Sequence, residues 1–482
     1  MNLGGVFFLL GRLLTALSVS LLVPAVVAYF DGGQGLSAFL VSAAIAATAG
    51  IILERRFVRG GEFTFGRQEA FVLVASAWAV ATLVGTLPYV FLKGPGFLVN
   101  GIFESASGFT TTGASILPDV ESESAALLLW RALTQWLGGM GIIVLGIAVL
   151  PKLAIGGMEL LGAEAPGPVK EKLTPRLAQT GKALWGIYTI FTAAEIVILM
   201  SIGMGPLDAV AHSFATMATG GFSTRNASIA AFDSPAIELT VVFFMVIAGA
   251  SFALHFQWMR GKGAALLRDP EFRLYTGIMA GATLLVATVT FWRGAYPSIG
   301  SALRYGVFQV TSIMTTTGFA TTDFNAWSDF SRGILFMLMF VGGCSGSTGG
   351  SVKVVRILIM VKKIAVDLRR MVRPHAVFPL RVGVRTIPED VVSSVTTFIL
   401  LFLILFLTGG FLLTLLGVDA LTAFSASVAC LGNVGPGLGA VGPTMNYDHL
   451  PAAAKLLLAF MMIVGRLELY TILILVFLRL RV

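Results

Sequence analysis

The sequence predicts an all-α polytopic membrane protein: about ten transmembrane helices plus four re-entrant pore helices, set as pseudo-fourfold parallel repeats around a central pore. Three observations carry this. The 482 residues are 56% hydrophobic and only 12% charged, with a mean hydropathy of +0.88, which is membrane composition. Apolar windows of about 20 residues, the length that crosses a bilayer core, recur along the whole chain. Between them lie four shorter apolar pieces, each ending in a polar, glycine-containing stretch.

The expected spans are 5–30, 36–53, 70–92, 124–150, 182–204, 235–259, 273–293, 330–362, 390–417 and 452–478. The first holds Arg12 and has no charged leading region, so it reads as a retained span rather than a cleaved signal. Basic residues gather in the loops after alternate spans: Arg55, Arg56, Arg59 and Arg67; Lys152, Lys170, Lys172, Arg176 and Lys182; Arg260, Lys262, Arg268 and Arg273; Lys362, Lys363, Arg369, Arg370, Arg373, Arg381 and Arg385; Arg479 and Arg481. The positive-inside rule places these loops, and hence both termini, in the cytoplasm. That placement also disposes of nucleic acid as the reason for the formal charge of +8. Cys344 and Cys430, the two cysteines, are far apart in apolar or glycine-rich surroundings and offer no disulfide framework.

The opposite loops contain "FLVNGIFESASGF", "PLDAVAHSFATMA", "SIGSALRYGVFQVTSIM" and "VDALTAFSASVACL". Each is too short to cross and suits a half-helix. They run into "TTTGAS" from Thr110, "MATGGFST" from Met217, "TTTGFATT" from Thr315 and "GNVGPGLG" from Gly432. Aligned on Gly113, Gly220, Gly318 and Gly435, these stretches recur at a period of roughly 100 residues. Each unit is span, half-helix, loop and span, starting from the same side, so the copies are parallel and surround an axis normal to the membrane. The units fall at 70–181, 182–272, 273–388 and 389–482, behind an N-terminal helix pair in 1–69.

A single Thr-Gly turn is ordinary capping and packing chemistry. Four in the same place are not. Non-helical backbone at membrane depth survives only where it is buried or lines a wet cavity. Four such strands would present rings of oxygens that replace the hydration shell of an alkali cation. Glycine supplies the positive φ that turning the carbonyls requires, and the half-helices aim their negative C-terminal ends at the cavity.

This arrangement resembles the Trk-type potassium-uptake proteins, of the superfamily that also holds the Ktr membrane subunits and the plant HKT transporters. The "GNVGPGLG", "GGCSGSTGGSVKVVR" and "GRLELYT" stretches match that family, and the extra N-terminal pair favours its Trk branch. The resemblance covers nearly the whole chain. It implies a potassium filter built from Thr111, Thr112 and Gly113; Ala218, Thr219 and Gly220; Thr316, Thr317 and Gly318; and Asn433, Val434 and Gly435. Glycine in all four units is the pattern linked with potassium preference, whereas serine in the first leans toward sodium. Ala218 and the "NV" of the fourth unit make the symmetry approximate, and the absence of a longer TVGYG implies fewer ion sites and looser selectivity.

In the third unit the stretch "GGCSGSTGGS" cannot hold a regular helix. It reads either as a kink between packed helices or, by the resemblance, as a gate under the filter formed by Gly342, Gly343, Ser345, Gly346, Ser347, Thr348, Gly349, Gly350 and Lys353, with Arg356 following. Arg466, in the middle of the last expected span, either pairs with Glu468 or a carbonyl, or stands on the permeation path as an electrostatic barrier at that gate.

No cofactor is expected in this chain, and potassium enters only as substrate. The acids Glu104, Glu195, Asp208 and Glu238 are scattered, and His212, His255, His375 and His449 form no cluster, which argues against an enzyme. His255 and Trp258 read as an interface belt. A non-conducting scaffold leaves four re-entrant loops without a purpose. The resemblance further implies a homodimer in a bacterial inner membrane and a cytoplasmic RCK-type nucleotide-binding partner, for which the basic stretch 362–386 is a docking surface if it is more than a topology signal. A sodium- or proton-coupled symporter of the same fold is the alternative to a gated channel.

Overall fold

The computed structural model of the chain describes residues 3–57, 66–148, 173–261, 263–383 and 385–471. Helices α1 (Leu3–Phe30) and α2 (Leu36–Phe57) form an antiparallel pair. It is drawn close by Gly11 and Gly50: a Cβ at Gly11 falls 2.9 Å from the Gly50 carbonyl oxygen, an approach only small residues permit. This pair packs on α3 (Arg67–Lys93), and α1 also on α5 (Ala125–Ala148).

The rest of the chain repeats one plan four times. An apolar helix leads to a short, buried helix, then an irregular strand, then a second long helix. The short helices are α4 (Leu98–Phe109), α7 (Pro206–Met217), α12 (Ile299–Met314) and α16 (Ala420–Leu431). The helices before them are α3, α6 (Leu173–Ser201), α11 (Pro270–Trp292) and α15 (Glu389–Leu415). Together with α1 and α2, these are the six helices long and apolar enough to cross a membrane by the described residues. Each exposes one apolar side outward, as at Val197 and Leu284, and each turns its other side to the short helices.

The four second helices behave differently. Only α5 runs unbroken, over Ala125–Ala148. The expected span 235–259 is divided into α8 (Pro235–Ala248) and α9 (Phe252–Met259), which meet at a 98° bend. The span 330–362 becomes α13 (Asp329–Leu338), fifteen residues of irregular backbone and α14 (Val354–Val372). The span 452–478 holds α17 (Ala452–Arg466) and breaks at Glu468 and Leu469, both at positive φ (54° and 52°). Sequence hydropathy reads straight through these breaks, because Ala, Gly, Ser and Leu at the bend are as apolar on average as the helices beside them. A short helix α10 (Ala264–Arg268) joins α9 to α11, and a two-strand hairpin of β1 (Arg381–Val382) and β2 (Arg385–Thr386) follows α14.

The first unit meets the fourth, since α4 packs against α17 as well as α3 and α5. Lys152, Lys170, Lys172, Arg59, Arg479 and Arg481 lie outside the described residues, as does the end of the last expected span beyond residue 471.

Candidate functional site: a four-walled ring and the loop beneath it

The four short helices end in the same way. At each C-terminus the next residue but one adopts the left-handed conformation: Thr111 (φ 55°), Thr219 (52°), Thr316 (62°) and Asn433 (54°). The N–H groups of these residues donate back to the carbonyls of Gly108, Thr216, Ile313 and Cys430, and the following N–H groups to those of Ser107, Ala215, Ser312 and Ala429. This is the Schellman pattern, which satisfies two orphan carbonyls. Such a site ordinarily takes glycine. A β-branched threonine at positive φ is strained, at about 1–3 kcal/mol each, and strain of this kind is kept at functional positions.

Two residues later comes a glycine that is also at positive φ: Gly113 (82°), Gly221 (76°), Gly318 (83°) and Gly435 (99°). Here the structure corrects the alignment read from the sequence. Thr112 corresponds to Gly220, and the ring glycine of the second wall is Gly221. Two consecutive glycines leave both registers equally compatible with the sequence, and the capping geometry separates them.

The ring closes in order. A Cβ built on Gly113 lies 2.1 Å from the Gly220 carbonyl oxygen, one on Gly221 lies 1.9 Å from that of Thr317, one on Gly318 lies 2.2 Å from that of Val434, and one on Gly435 lies 2.6 Å from that of Thr112. Each glycine is therefore where the backbone of the next wall presses against it, and no side chain fits. Four helix C-termini, each the negative end of a peptide dipole array, lead into this ring and favour a cation there.

The walls are held by different chemistry. In the first and third, hydroxyl pairs Thr110–Thr112 (2.7 Å) and Thr315–Thr317 (2.8 Å) brace the turn. Asn433 of the fourth wall donates to Thr112 Oγ1 (3.0 Å) and to Met462 O (2.9 Å). The second wall has Ala218 and Gly220 in place of both threonines. Gln135 of α5 compensates, donating to Gly220 O (2.6 Å) and accepting from Phe222 N (3.1 Å). Thr111 Oγ1 and Asn433 Oδ1 are buried oxygens without a hydrogen-bond partner, at corresponding positions of two neighbouring walls. Unpaired buried oxygens in a ring suit a cation as their missing partner.

Around the ring, on the side to which the strands exit, lies a cavity of about 130 Å³ lined by the four glycines together with Arg131 and Arg225. Adjacent walls are stapled there. Asn226 accepts from Val120 N (2.7 Å) and donates to Asp119 (2.7 Å), joining walls one and two. Ala230 N donates to Ala320 O (3.1 Å), joining two and three. Asn325 exchanges bonds with Gly439 O and N (3.1 and 3.2 Å), joining three and four. Tyr447 closes the circle, its N–H on Ser115 O (2.8 Å) and its hydroxyl on Gly435 O (2.7 Å). Asn226 also holds the exposed Asp119 carboxyl below its ordinary pKa.

Sequence reading missed Arg131. It is 2% exposed and its Nε donates to Glu104 (2.8 Å), its other nitrogens to Ser223 O and Ser115 Oγ (3.0 Å each). The guanidinium lies 4.1 Å from the Phe222 ring centroid. Glu104 accepts as well from Ile116 N (2.9 Å). One buried pair thus fixes the strands leaving both the first and second walls. Asp208, Arg225 and Thr224 do similar work in the second, with Thr224 and Arg225 each 2.6 Å from the carboxylate. Glu238 and Arg304 form a bidentate pair at 2.7 Å between α8 and α12. These acids looked scattered because their partners are distant in sequence.

On the opposite side of the ring lies the irregular stretch between α13 and α14. Gly342 and Gly346 have φ of 77° and 73°, Ser351 and Lys353 of 59° and 74°. It packs on the third and fourth walls and bonds to the second unit. Gly350 N donates to Thr316 Oγ1 (2.8 Å), and a Cβ on Gly350 falls 2.3 Å from Gly432 O. Cys344 N donates to Gly249 O (2.8 Å), Phe252 N to Gly346 O (3.1 Å), and Gly343 O accepts from Val354 N (3.0 Å). Ser347 Oγ donates to Cys344 O (2.6 Å) and the buried Lys353 Nζ to Gly349 O (2.8 Å). Glu271, another residue sequence reading passed over, accepts from Ser345 N (2.6 Å) and Val355 N (3.0 Å).

At its centre four units meet at one knot. Thr348 Oγ1 of the third lies 3.0 Å from Met217 O and 3.2 Å from Ala248 O of the second. Arg466 of the fourth donates to Thr348 O (2.7 Å) and to Gly138 O of the first (3.4 Å). Arg466 is 2% exposed and takes carbonyls as partners; Glu468 pairs with Arg356 instead, whose guanidinium stacks 3.9 Å from the Phe398 ring centroid. His255, read as part of an interface belt, is buried and lies 2.9 Å from Ile247 O at the bend between α8 and α9, whereas Trp258 is exposed.

Fold and site define a polytopic membrane protein whose four units enclose a cation-favouring ring backed by a loop. The sequence model of the TrkH family, described as a cation transport protein, matches residues 42–480, and the chain belongs to that family. It is a transport protein, not an enzyme. It is 39% identical over 474 residues to the Trk system potassium uptake protein TrkH of Escherichia coli K12, covering 97% of each, and 39% identical over 483 residues to the protein of that name from Halomonas elongata, covering 98% of each. The crystal structure of the potassium transporter TrkH from Vibrio parahaemolyticus superimposes with a TM-score of 0.91 at 37% identity, over 98% of both chains.

Proposed function

We propose that the chain carries potassium into a bacterial cell across the inner membrane, through a filter formed by Thr111–Gly113, Thr219–Gly221, Thr316–Gly318 and Asn433–Gly435, one wall from each of the units 70–181, 182–272, 273–388 and 389–482. The observation that carries this reading is the cyclic contact of each ring glycine with the next wall's carbonyl, in a family of cation transport proteins. The similarity to potassium uptake proteins supplies the ion. Both termini are cytoplasmic, the stapled cavity faces out, and entry is driven by the membrane potential, worth about 2.3 kcal/mol per charge per 100 mV.

The stretch 342–353 and Arg466 act as the gate. With Thr348 bonded across the axis and a guanidinium beside it, a cation leaving the ring meets both a steric stop and a positive charge. Losing one charge-assisted hydrogen bond costs about 1.5–3 kcal/mol, and roughly 1.4 kcal/mol is tenfold in an equilibrium. Arg466→Ala is accordingly expected to raise flux about tenfold or more. The exposed end of α14, with Arg369, Met371 and Val372, and Arg373 just after it, docks an RCK-type nucleotide-binding ring, two copies of the chain sharing one regulator. Reconstitution in liposomes, with potassium, rubidium and sodium fluxes measured with and without the partner, tests the whole reading. Absence of any cation flux in the Arg466→Ala protein overturns it.

A further inference from the structure

Glu195 differs from the other buried acids. It lies in α6, is 0% exposed, and neither carboxyl oxygen has a hydrogen-bond partner. Glu104, Asp208, Glu238 and Glu468 each have an arginine, and Glu271 has two backbone N–H groups.

Helices α5, α7, α8 and α9 pack on α6, and their titratable groups are engaged elsewhere. Arg131 faces Glu104, Asp208 faces Arg225, and Glu238 faces Arg304. His212 lies between Asp208 O and Ser223 Oγ, and His255 against Ile247 O. On α6 itself, Tyr188 donates to Trp136 O. Arg466, near Tyr188, is taken up by Thr348 O and Gly138 O.

The polar group beside the carboxyl is the Thr216 hydroxyl in the last turn of α7. Its single proton goes to His212 O, 2.7 Å away. A hydroxyl so committed can only accept from a further neighbour. A carboxylate next to it finds no donor, whereas a carboxylic acid becomes the donor. The surroundings disfavour the anion twice more: the carboxyl is fully buried from solvent, and α7 ends here, presenting the negative end of its dipole.

We propose that Glu195 is a proton-binding site. Protonated, the acid can donate toward Thr216, as a carboxylate cannot, and α6 lies against the end of α7. Withdrawing the proton sets an unpaired anion against that end. The same turn carries Met217 O, which accepts from Thr348 at the knot, and leads directly into Thr219 of the second wall. Loss of the proton therefore loosens both the loop and one wall of the ring.

The test uses the full chain in lipid. Infrared difference spectra of the wild type against Glu195→Gln at neutral pH are expected to show loss of one carboxylic-acid C=O band, with Glu195→Asp retaining such a band and controlling for folding. This result does not depend on which cation the ring passes. Cation flux, which rests on the transport reading, is expected to change in the wild type as pH rises through the loss of that band and to stay level in Glu195→Gln, fixed in the neutral form. A spectrum unchanged by Glu195→Gln, or a flux profile with pH that is the same in both proteins, overturns the proposal.

Discussion

At the scale of single residues, the ring separates two kinds of glycine that sequence alone leaves equivalent. A Cβ on Gly221 meets the Thr317 backbone carbonyl at 1.9 Å and would sit at positive φ, whereas one on Gly220 meets the Gln135 side chain at 2.4 Å. Backbone packed on all sides cannot yield, but a side-chain amide can rotate away. Gly221→Ala is therefore expected to abolish selective flux, and Gly220→Ala to leave a folded protein with reduced selectivity; equal effects in a rubidium-against-sodium flux assay would remove the basis for the register. The Arg131–Glu104 pair sets a second expectation. Removing one partner of a buried ion pair leaves an uncompensated charge and costs about 3–5 kcal/mol. Arg131→Met should lower the thermal unfolding temperature in detergent markedly, and the double variant Arg131→Met with Glu104→Gln should recover part of the loss.

At the scale of elements, the short helices and their loops were legible because length and composition conflict there: pieces too short to cross, ending in Thr and Gly, recur at a near-constant period. The breaks in the second helices were legible only in the third unit, where glycine is dense. At Gly249–Ser251 and after Arg466, nothing in hydropathy marks a break; at the α8–α9 bend the loop 342–353 bonds to the carbonyls of Ala248 and Gly249 and accepts from Phe252 N, contacts that are tertiary. Glu271 belongs to this scale because it joins the loop and the start of α14 through two N–H groups. Glu271→Ala is expected to increase amide hydrogen exchange at Ser345 and Val355 and to raise flux through the closed protein; unaltered exchange at both amides would show that the clamp is not what holds the loop.

At the scale of the whole molecule, the charge distribution read from the sequence supports the proposed orientation, while the cross-wall partners that brace the ring were beyond reach. Asn226, Asn325 and Tyr447 join units separated by about a hundred residues or more, and hydropathy and spacing carry no trace of such pairs. The basic residues at the end of α14 and just after it carry a prediction of their own. Arg369→Glu combined with Arg373→Glu should weaken binding of an RCK-type partner and flatten its salt dependence, because surface attraction is screened over about 8–10 Å at physiological ionic strength. Binding unchanged at low salt would move the docking surface elsewhere.

The staples and braces differ from wall to wall: hydroxyl pairs in the first and third, Gln135 at the second, Asn433 in the fourth. A pore assembled from four identical chains cannot do this, because one codon there is read four times and each change strikes every side at once. Here one codon alters a quarter of the ring. Mutation can explore the walls singly, so the bracing of each is open to separate adjustment, and a lost threonine on one side can be repaired from a neighbouring helix while the other three sides stay as they are.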